Sequence, residues 1–405
     1  MTMSQKRICI LGGGFGGLYT ALRLSQFPWN SPDKPEIILV EQNDRFLFSP
    51  LLYELLTGEL QSWEIAPPFS ELLADTTVRF VQGAVTNIDV RSRSVSERES
   101  HLVQLNDGPD ISCDRLVLAL GGETPMDRVP GCADHAIPFR TINDAYRLQE
   151  KLRELENSVC DKIRVAIVGS GYSGVELACK LADRLGERGR VRLVEASDSI
   201  LRSASEFNRT AAMRSLKERG IWIDLETTVD RVEADSISLI YKEQIDNLPV
   251  DIVLWTVGTE VSPVVRSLPL KQNQRGQITT TATLQAIDHP DIFVLGDLAD
   301  CQDASEQRVP STAQAAIQQA DYAAWNIWAS LTERPLLPFR YQNLGEMMTL
   351  GLDNATLTGL GIKLDGPAAH ILRRLIYLYR LPTLDHQLKV GFNWITQPLR
   401  EMLSS

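Results

Sequence analysis

Apolar runs alternate with helical patterns along the chain, and the same arrangement occurs twice. Residues 8–11 and 165–168 are continuous apolar runs, which are typical of strands buried in a parallel sheet. Each run leads into a segment whose apolar residues have helical spacing, at Leu18, Leu22, Val175, Leu177 and Leu181. A further apolar run follows, "EIILVE" in the first copy and "RVRLVE" in the second. This order predicts an α/β fold with two Rossmann-like domains.

A glycine-rich turn connects the first strand to the helix in both copies. The glycines have the spacing G-x-G-x-x-G, at Gly12, Gly14, Gly17, Gly169, Gly171 and Gly174. The first glycine allows a tight bend, the second lets the backbone approach a pyrophosphate, and the third lets the helix pack closely on the strand. The next strand ends in an acid, Glu41 or Glu195, which can bind ribose hydroxyls. One such turn is a weak signal, but two complete copies predict two dinucleotide-binding sites.

A later strand also ends in an acid. In "HPDIFVLGDLADC", residues 289–301, the apolar run is followed directly by Gly296 and Asp297. A carboxylate at this place suits the ribityl hydroxyls of FAD. The alternative is that Asp297 only stabilises the next turn, and the residues alone leave both interpretations open.

Composition limits the classes of protein that the chain can belong to. The 405 residues suit two or three globular domains, and the net charge of −11 does not favour a nucleic-acid partner. The six cysteines have no metal-site or disulfide spacing, which predicts reduced thiols and no metal site. Residues 1–5 are too few and too polar for a signal peptide, and the absence of a run of about 18 apolar residues predicts no membrane span.

Several longer stretches have counterparts in a known family: "VEQNDRFLFSPLLYELLTGEL", "PSTAQAAIQQADYAAWNI", "NLGEMMTLG" and "LKVGFNWITQPL". On these stretches the chain resembles the two-dinucleotide flavoproteins, and among them the type II NAD(P)H:quinone oxidoreductases, which are single-subunit respiratory dehydrogenases that pump no protons. "NLGEMMTLG" and "RRLIYLYRLPTLDHQLKVGFNW" look most like the cyanobacterial and plastid branch, which reduces demethylphylloquinone in phylloquinone synthesis. Leu120 departs from the family pattern, in which threonine is usual.

The resemblance implies different occupants for the two dinucleotide sites. The first turn and Glu41 would bind the adenosine part of a tightly bound FAD, and Asp297 its ribityl chain. The second turn and Glu195 would bind NAD(P)H, which passes a hydride to FAD before a lipid-soluble quinone, a naphthoquinone such as demethylphylloquinone, takes two electrons. A carboxylate at Glu195 would repel a 2′-phosphate and so favours NADH, while the nearby Arg192 and Arg202 keep NADPH as an alternative donor.

The stretch "VPSTAQAAIQQADYAAW" predicts a helix that begins just after Pro310, with Ser311 or Thr312 as its cap. The N-terminus of such a helix can stabilise negative charge on a reduced flavin. The resemblance implies that this helix lies beside the flavin ring and the quinone entrance through Ala313, Gln314, Ala316 and Gln318. Spacing alone allows a simpler alternative, in which both glutamines face water.

Glu176 is predicted to lie in the first turn of the helix that follows the second glycine turn. One interpretation is that the acid only interacts favourably with the helix dipole. The resemblance implies a second, in which Glu176 lies near the nicotinamide and the quinone and relays a proton. Two electrons and two protons reduce a quinone, and a hydride brings only one of the protons.

The C-terminal region differs from the rest of the chain. Residues 367–405 carry a net charge of +3. In "AAHILRRLIYLYRLP" the apolar residues have helical spacing, at Ile371, Leu372, Leu375, Leu378 and Tyr379. Another face carries the basic residues His370, Arg373, Arg374 and Arg380. A second amphipathic segment follows, in which Pro398 is expected to interrupt or kink the helix.

Two basic amphipathic helices predict an anchor that lies in a membrane interface. The protein would then be a peripheral, monotopic membrane protein on the cytoplasmic face, with the thylakoid as a candidate membrane. The alternative is a helix pair that packs on the core or forms the seam of a homodimer. The predicted domains are an FAD-binding domain of residues 1–155 and 276–340, an inserted NAD(P)H-binding domain of residues 156–275, and a membrane-anchoring region of residues 341–405.

Two other functions share parts of this pattern. A sulfide:quinone oxidoreductase needs a redox cysteine late in the chain, but no cysteine follows Cys301. A disulfide reductase needs a CxxxxC motif after the first helix, which is absent. A flavin-containing NADH sensor with little turnover remains a non-enzymatic alternative.

Overall fold

The computed structural model describes residues 5–30, 34–90 and 100–404, and the chain divides into two compact units. The first unit comprises Met1–Phe46, Pro67–Glu123 and Thr259–Gln342, and the second comprises Leu47–Ala66, Thr124–Gly258 and Asn343–Ser405. Each unit is built on a parallel sheet with helices, which makes the protein a mixed α/β fold. The domain boundaries given above, with a ligand assigned to each domain, stay a prediction.

A parallel sheet forms the core of the first unit. Its strands follow the order His289–Val294, Arg115–Leu118, Arg7–Leu11, Glu36–Glu41 and Val78–Gln82, with the antiparallel strand Gln285–Ala286 at one edge. The predicted apolar run at residues 8–11 lies in the central strand and is completely buried. The helices Phe15–Gln26 and Ala313–Leu331 pack against each other beside this sheet.

Smaller elements complete the first unit. An antiparallel sheet is formed by Val85–Asp89, His101–Leu105 and Ile111–Cys113, and Ile278–Thr279 pairs with Ala299–Asp300. The short helices are Phe69–Leu72, Pro263–Arg266 and the 3₁₀ turn Gly296–Leu298. A buried pair, His101 and Asp291, joins the antiparallel sheet to the parallel one at 3.0 Å between Nε2 and Oδ2.

The second unit repeats the plan with a second parallel sheet. The strand order is Trp222–Asp224, Gly189–Val194, Ile163–Val168, Ile252–Trp255 and Ala136–Pro138. The long helices are Ile142–Glu156, Tyr172–Leu185 and Glu206–Glu218, and the short ones are Ser49–Leu51, Glu54–Thr57, Ser62–Ile65, Cys132–His135 and Gly186–Arg188. An antiparallel sheet of Thr227–Val232, Ser236–Tyr241 and Gln244–Pro249 covers part of its core.

The C-terminal part of the second unit is an antiparallel sheet followed by two helices. The strands are Glu346–Thr349, Ala355–Gly359 and Ile362–Gly366. The first helix, Pro367–Arg380, begins with a proline, which has no N–H to leave unpaired at that position. The second helix runs Leu384–Ser404, so the interruption expected at Pro398 does not occur.

The helix Pro367–Arg380 is oriented differently from the prediction that placed His370, Arg373, Arg374 and Arg380 on one basic face. His370 and Arg373 are buried, and the Arg373 side chain has 0% exposure. Apolar side chains of the same helix are exposed instead, as they are on the helix that follows. The exposed C-terminal residues are Ile371, Leu375, Tyr379, Leu384, Leu388, Phe392 and Ile395. The physical reason is that Arg373 forms an ion pair with Glu54 in the core. Ala369, Leu372 and Ile376 of the same helix pack in a buried cluster, while Ile371, Leu375 and Tyr379 face outward.

Polar groups also hold the second C-terminal helix. His386 is buried with its Nε2 atom 2.8 Å from the Glu64 carbonyl oxygen. The Glu64 carboxylate accepts hydrogen bonds from Trp394 Nε1 at 2.8 Å and from Asn393 Nδ2 at 3.2 Å. Within residues 5–30, 34–90 and 100–404, no helix is long and apolar enough to cross a bilayer.

Candidate functional site

In the first glycine turn, each glycine meets a different steric requirement. Gly12 has a φ of +100°, and a Cβ there would lie 2.3 Å from the Ala119 carbonyl oxygen. A Cβ on Gly17 would lie 1.8 Å from the Gly12 carbonyl oxygen, so the helix packs against the strand only because Gly17 has no side chain. A Cβ on Gly14 would have no described atom within 4 Å. The middle glycine therefore faces open space, as a pyrophosphate cradle requires.

The second glycine turn has the same geometry. Gly169 also has a φ of +100°, and a Cβ on Gly174 would lie 1.8 Å from the Gly169 carbonyl oxygen. Gly171 again faces open space, with no described atom within 4 Å of a Cβ. In the described chain no side chain caps the helices Phe15–Gln26 and Tyr172–Leu185, so their N-termini can receive an anion.

The two acids that follow the turns have equivalent contacts. Glu41 Oε2 accepts a hydrogen bond from the Gly13 backbone N–H at 2.8 Å. Glu195 Oε2 accepts from the backbone N–H of Ser170 at 3.0 Å and from its hydroxyl at 2.6 Å. Burial alone would raise the pKa of Glu195, but the hydrogen bonds from Ser170 and Ser197 outweigh burial and lower it. Each carboxylate is thus held beside its glycine turn at the carboxyl end of the sheet.

Asp297 lies in the 3₁₀ turn Gly296–Leu298, in the same unit as the first glycine turn. Its backbone oxygen accepts a hydrogen bond from Gln277 Nε2 at 3.0 Å, and its Oδ2 atom would be 3.6 Å from a Cβ on Gly122. The buried Gln319 holds this turn, because its Oε1 atom accepts from the Gly296 N–H at 2.7 Å. Gln319 is not predicted from the sequence, because helical spacing from Gln314 points to its neighbour Gln318 instead.

The helix Ala313–Leu331 begins as predicted. Thr312 is the cap, and its hydroxyl accepts from the Ala315 N–H at 3.2 Å, which confirms one of the two predicted caps. Gln314 and Gln318 lie in the first two turns and both have protein partners. Gln314 Oε1 accepts from the Tyr341 hydroxyl at 3.0 Å.

Gln318 is more tightly engaged than Gln314. Its side chain bonds both the N–H and the carbonyl of Gln342, at 3.0 Å and 2.9 Å. Gln318 therefore holds the end of the first unit. Both glutamines have protein partners, and both interpretations of this helix stay open. Any catalytic part for Gln314 or Gln318 stays a prediction.

Glu176 does not lie in the first turn of its helix, which corrects the prediction. The helix begins at Tyr172 with Gly171 as its cap, so Glu176 is its fifth residue and belongs to the second turn. The side chain is 6% exposed, and Oε1 accepts from the Thr349 backbone N–H at 2.9 Å. The same atom is 3.7 Å from Arg373 Nη2. The contacts of Glu176 are thus tertiary.

A cluster of buried charges surrounds Glu176. Glu54 Oε1 is 2.5 Å from Arg373 Nη1, and both side chains are fully buried. Lys180, one turn after Glu176 and also fully buried, pairs with Glu59. The cluster joins segments near residues 54, 176, 349 and 373, and no local spacing in the sequence links them.

Burial sets the proton affinities in this cluster. Burial raises the pKa of Glu176 to about 7, although Arg373 and the Thr349 N–H lower it. Burial also acts to raise the pKa of Glu54, but Arg373 and Lys180 outweigh it, so the pKa of Glu54 is lowered. Burial raises the pKa of Glu59 as well, although its partner Lys180 acts to lower it. Glu176 is thus a carboxyl of this cluster that exchanges a proton near neutral pH.

The predicted site residues fall into two groups. The first unit contains the first glycine turn with Glu41, together with Asp297, Ala313, Gln314 and Gln318. The second unit contains the second glycine turn with Glu195 and Glu176. All six cysteines lie in the described residues and are free thiols, and burial raises the pKa of Cys301.

These features place the chain in a class. It belongs to the pyridine nucleotide-disulphide oxidoreductase family, which matches residues 6–320. Within that class it is similar to a demethylphylloquinone reductase from Synechocystis, at 57% identity over 100% of this chain and 99% of the relative. It is also similar to an alternative NAD(P)H-ubiquinone oxidoreductase, chloroplastic/mitochondrial, from Arabidopsis thaliana, at 44% identity over 97% of this chain and 81% of the relative. The resemblance to type II NAD(P)H:quinone oxidoreductases is thereby confirmed.

A solved structure supports the fold. The structure of NDH2 from Plasmodium falciparum in complex with NADH aligns with a TM-score of 0.84 over 98% of each chain, at 17% identity. At this identity the comparison shows the fold alone.

The open space at the middle glycines generates a paired prediction. A Cβ at position 14 has no described atom within 4 Å, so the side chain of Gly14→Val would occupy the first cradle, and we expect the purified protein to lose at least about tenfold in FAD content. In Gly171→Val, FAD content should stay normal, while KM for NADH rises about tenfold or more. Flavin absorbance and steady-state kinetics measure both effects. If Gly14→Val instead raised KM for NADH and Gly171→Val lost FAD, the first turn would be the NADH site and the second the FAD site.

Proposed function

We propose that this protein is an FAD-dependent NAD(P)H:quinone oxidoreductase that reduces a lipid-soluble naphthoquinone. The observation that carries the proposal is the pair of equivalent glycine turns, each with an open middle glycine and a carboxylate beside it. One redox enzyme needs two such sites when it binds a flavin dinucleotide and a nicotinamide dinucleotide together. The names of both close relatives support the same reaction class.

The chain's own residues bind and orient the two nucleotides. The N–H groups at the start of Phe15–Gln26 would bind the pyrophosphate of FAD, with Glu41 at the ribose and Asp297 at the ribityl chain. The second turn and Glu195 would bind NAD(P)H in the same manner. When bound, FAD supplies the two-electron chemistry that links the nicotinamide to the quinone. The N-terminus of Ala313–Leu331 offers a positive dipole end for the charge that develops.

Demethylphylloquinone is the proposed natural quinone. Its support is the Synechocystis relative, which carries that substrate in its name and is similar over the full chain. An apolar pocket distinguishes quinones of similar size only weakly. Comparing kcat/KM across demethylnaphthoquinones and benzoquinones therefore tests this part of the proposal.

NADH is the proposed electron donor. The Glu195 carboxylate would face the ribose and repel a 2′-phosphate. Arg192 is engaged elsewhere, because its Nη1 atom is 2.6 Å from Asp224 Oδ2. Arg202 is the cation that remains near this site, where its Nη1 atom donates to the Ser197 hydroxyl at 3.4 Å. NADPH is therefore a weaker second donor.

We expect the purified protein to be yellow and to consume NADH continuously with a soluble naphthoquinone. Stopped-flow flavin bleaching should be about tenfold or more faster with NADH than with NADPH, because of charge repulsion at Glu195. Glu195→Gln should reduce that ratio, and Arg192→Met serves as the control with an unchanged ratio. A single bleaching event without turnover would favour the sensor interpretation, and equal rates with both nucleotides would refute the donor preference.

Glu176 is the proposed proton donor to the quinone. Its carboxyl is buried, and burial raises its pKa to about 7, so a large fraction is protonated at neutral pH. A buried protonated carboxyl can act as a general acid, as quinone reduction requires. The Thr349 N–H fixes the orientation of the carboxyl.

Glu176→Ala and Glu176→Gln should each lower quinone turnover about 100-fold and leave flavin bleaching by NADH unchanged. In the native protein the acid is protonated below a pH of about 7, so quinone turnover should fall as pH rises through that value. Single-turnover absorbance traces separate the two half-reactions. Equal losses in flavin reduction by NADH and in quinone reduction would indicate a structural role for Glu176 instead.

The exposed C-terminal residues are proposed to insert into a lipid interface. They recur at intervals of three or four along both helices, while the polar His370 and Arg373 point into the core. An apolar face of this kind, beside a substrate that dissolves in lipid, favours a peripheral membrane position. The cytoplasmic face of a thylakoid membrane is the proposed location.

Leu388→Asp and Phe392→Asp should each lower binding to anionic lipid vesicles about tenfold, because each removes an exposed apolar side chain from the interface. Ile245→Asp is the matched control, since Ile245 is exposed on the strand Gln244–Pro249. Vesicle sedimentation measures binding. If the native protein forms a dimer that the same substitutions dissociate, and does not sediment with lipid, the face is a subunit interface.

A further inference from the structure

Arg373 lies between two glutamates in the buried part of the second unit. Its Nη1 atom is 2.5 Å from Glu54 Oε1, and its Nη2 atom donates to the Pro50 carbonyl at 2.8 Å. Glu176 Oε1 is 3.7 Å from Nη2, which is beyond hydrogen-bond distance. Glu54 therefore takes the short hydrogen-bonded contact with the guanidinium, and Glu176 forms a longer ion pair with it, without a hydrogen bond.

The Glu54–Arg373 ion pair contributes little to the stability of the fold. Among the atoms that the structure describes, Glu54 Oε2 and Arg373 Nε are buried without a hydrogen-bond partner. A buried ion pair with unsatisfied atoms is often no more stable than apolar residues of the same volume. Stability therefore does not explain the pair, whereas an effect of the pair on the neighbouring Glu176 does.

The other ionisable groups around Glu176 are neutral or already paired. Raised pKa values keep neighbouring phenols and a thiol uncharged at neutral pH, and a lowered one keeps an imidazole uncharged: Tyr53, Tyr172, Tyr377, Cys179 and His370. Lys180 pairs with Glu59, and Glu346 accepts from Asn208 Nδ2 at 2.8 Å. Among the described residues, Glu54 and Arg373 are thus the charges that most directly control Glu176.

We propose that Glu54 is a positioning residue for proton delivery, because it takes the short bond to the Arg373 guanidinium and leaves Glu176 only the longer contact of 3.7 Å. This inference rests on the proposed function. In the overall reaction NAD(P)H, one proton and the quinone give NAD(P)⁺ and the quinol. At Glu176 the carboxyl O–H bond breaks as a quinone O–H bond forms, and the carboxylate then takes a proton from water.

Removing the charge of Glu54 should reverse this arrangement. In Glu54→Gln, Glu176 is the one carboxylate of the described residues that still pairs with the guanidinium, and the like charge beside Glu176 is gone. Both changes favour the ionised form of Glu176 and lower its pKa. The decisive measurement is kcat for a soluble naphthoquinone as a function of pH, with flavin bleaching by NADH measured in parallel.

We expect the falling limb of the Glu54→Gln profile to move about one pH unit toward acid, which lowers kcat about tenfold above pH 8. Flavin bleaching should not change. Glu54→Asp keeps the negative charge, so the falling limb of its pH profile should lie close to that of the native protein. In Glu54→Gln/Arg373→Met, the cation is also gone, so the limb should return to the native pH or above it.

The double variant also provides the measurement if Glu54→Gln fails to fold, because it removes both charges of the Glu54–Arg373 pair together. Asp183→Asn is the structural control. It breaks an ion pair with Arg219, 2.7 Å between Oδ1 and Nε, on the helix that carries Glu176, and should lower stability without moving the limb. Turnover with an unmoved limb in Glu54→Gln, or a limb displaced toward acid in the double variant, would overturn the inference and leave the proposed function intact. Absence of NAD(P)H:quinone turnover in the native protein would instead refute the proposed function.

Discussion

Both units depend on one steric constraint at their glycine turns. The helix lies so close to the preceding strand that the third glycine, Gly17 or Gly174, has no room for a methyl group beside the carbonyl of the first. This close contact directs the helix N-terminus toward the carboxyl end of the sheet, where Glu41 or Glu195 is held by the backbone N–H of the residue after the first glycine. The fold thereby brings together the positive end of the helix dipole, the open space at the middle glycine and the carboxylate. These are the groups that bind a dinucleotide.

A second constraint acts in the C-terminal part of the chain. Arg373 is fully buried, although a helix normally turns its apolar side to the core. Its pairing with Glu54 turns Ile371, Leu375 and Tyr379 outward. The same buried cation sets the electrostatic environment of Glu176. One ion pair thus links the exposed apolar surface to the proton affinity of the acid in the core.

Features that depend on neighbouring residues could be predicted from the sequence. The glycine turns, the strands with their terminal acids and the Thr312 cap all follow from local steric and hydrogen-bonding rules. Features that depend on distant contacts could not. Gln319 rather than Gln318 binds the Gly296 N–H, and Arg373 is buried although the sequence predicted it on an exposed basic face. Each of these depends on a partner far away in the chain.

The sequence by itself therefore determined the family, the α/β class and the two dinucleotide turns. Each of them depends on the spacing of residues that are close together in the chain, and few other folds have that spacing. Only the tertiary structure decided the environment of Glu176. Its helix begins two residues before the third glycine, and its carboxyl meets Thr349 and Arg373, which are more than 170 residues away in the chain. Burial and charge in such a cluster depend on which segments pack together, and no local pattern specifies that.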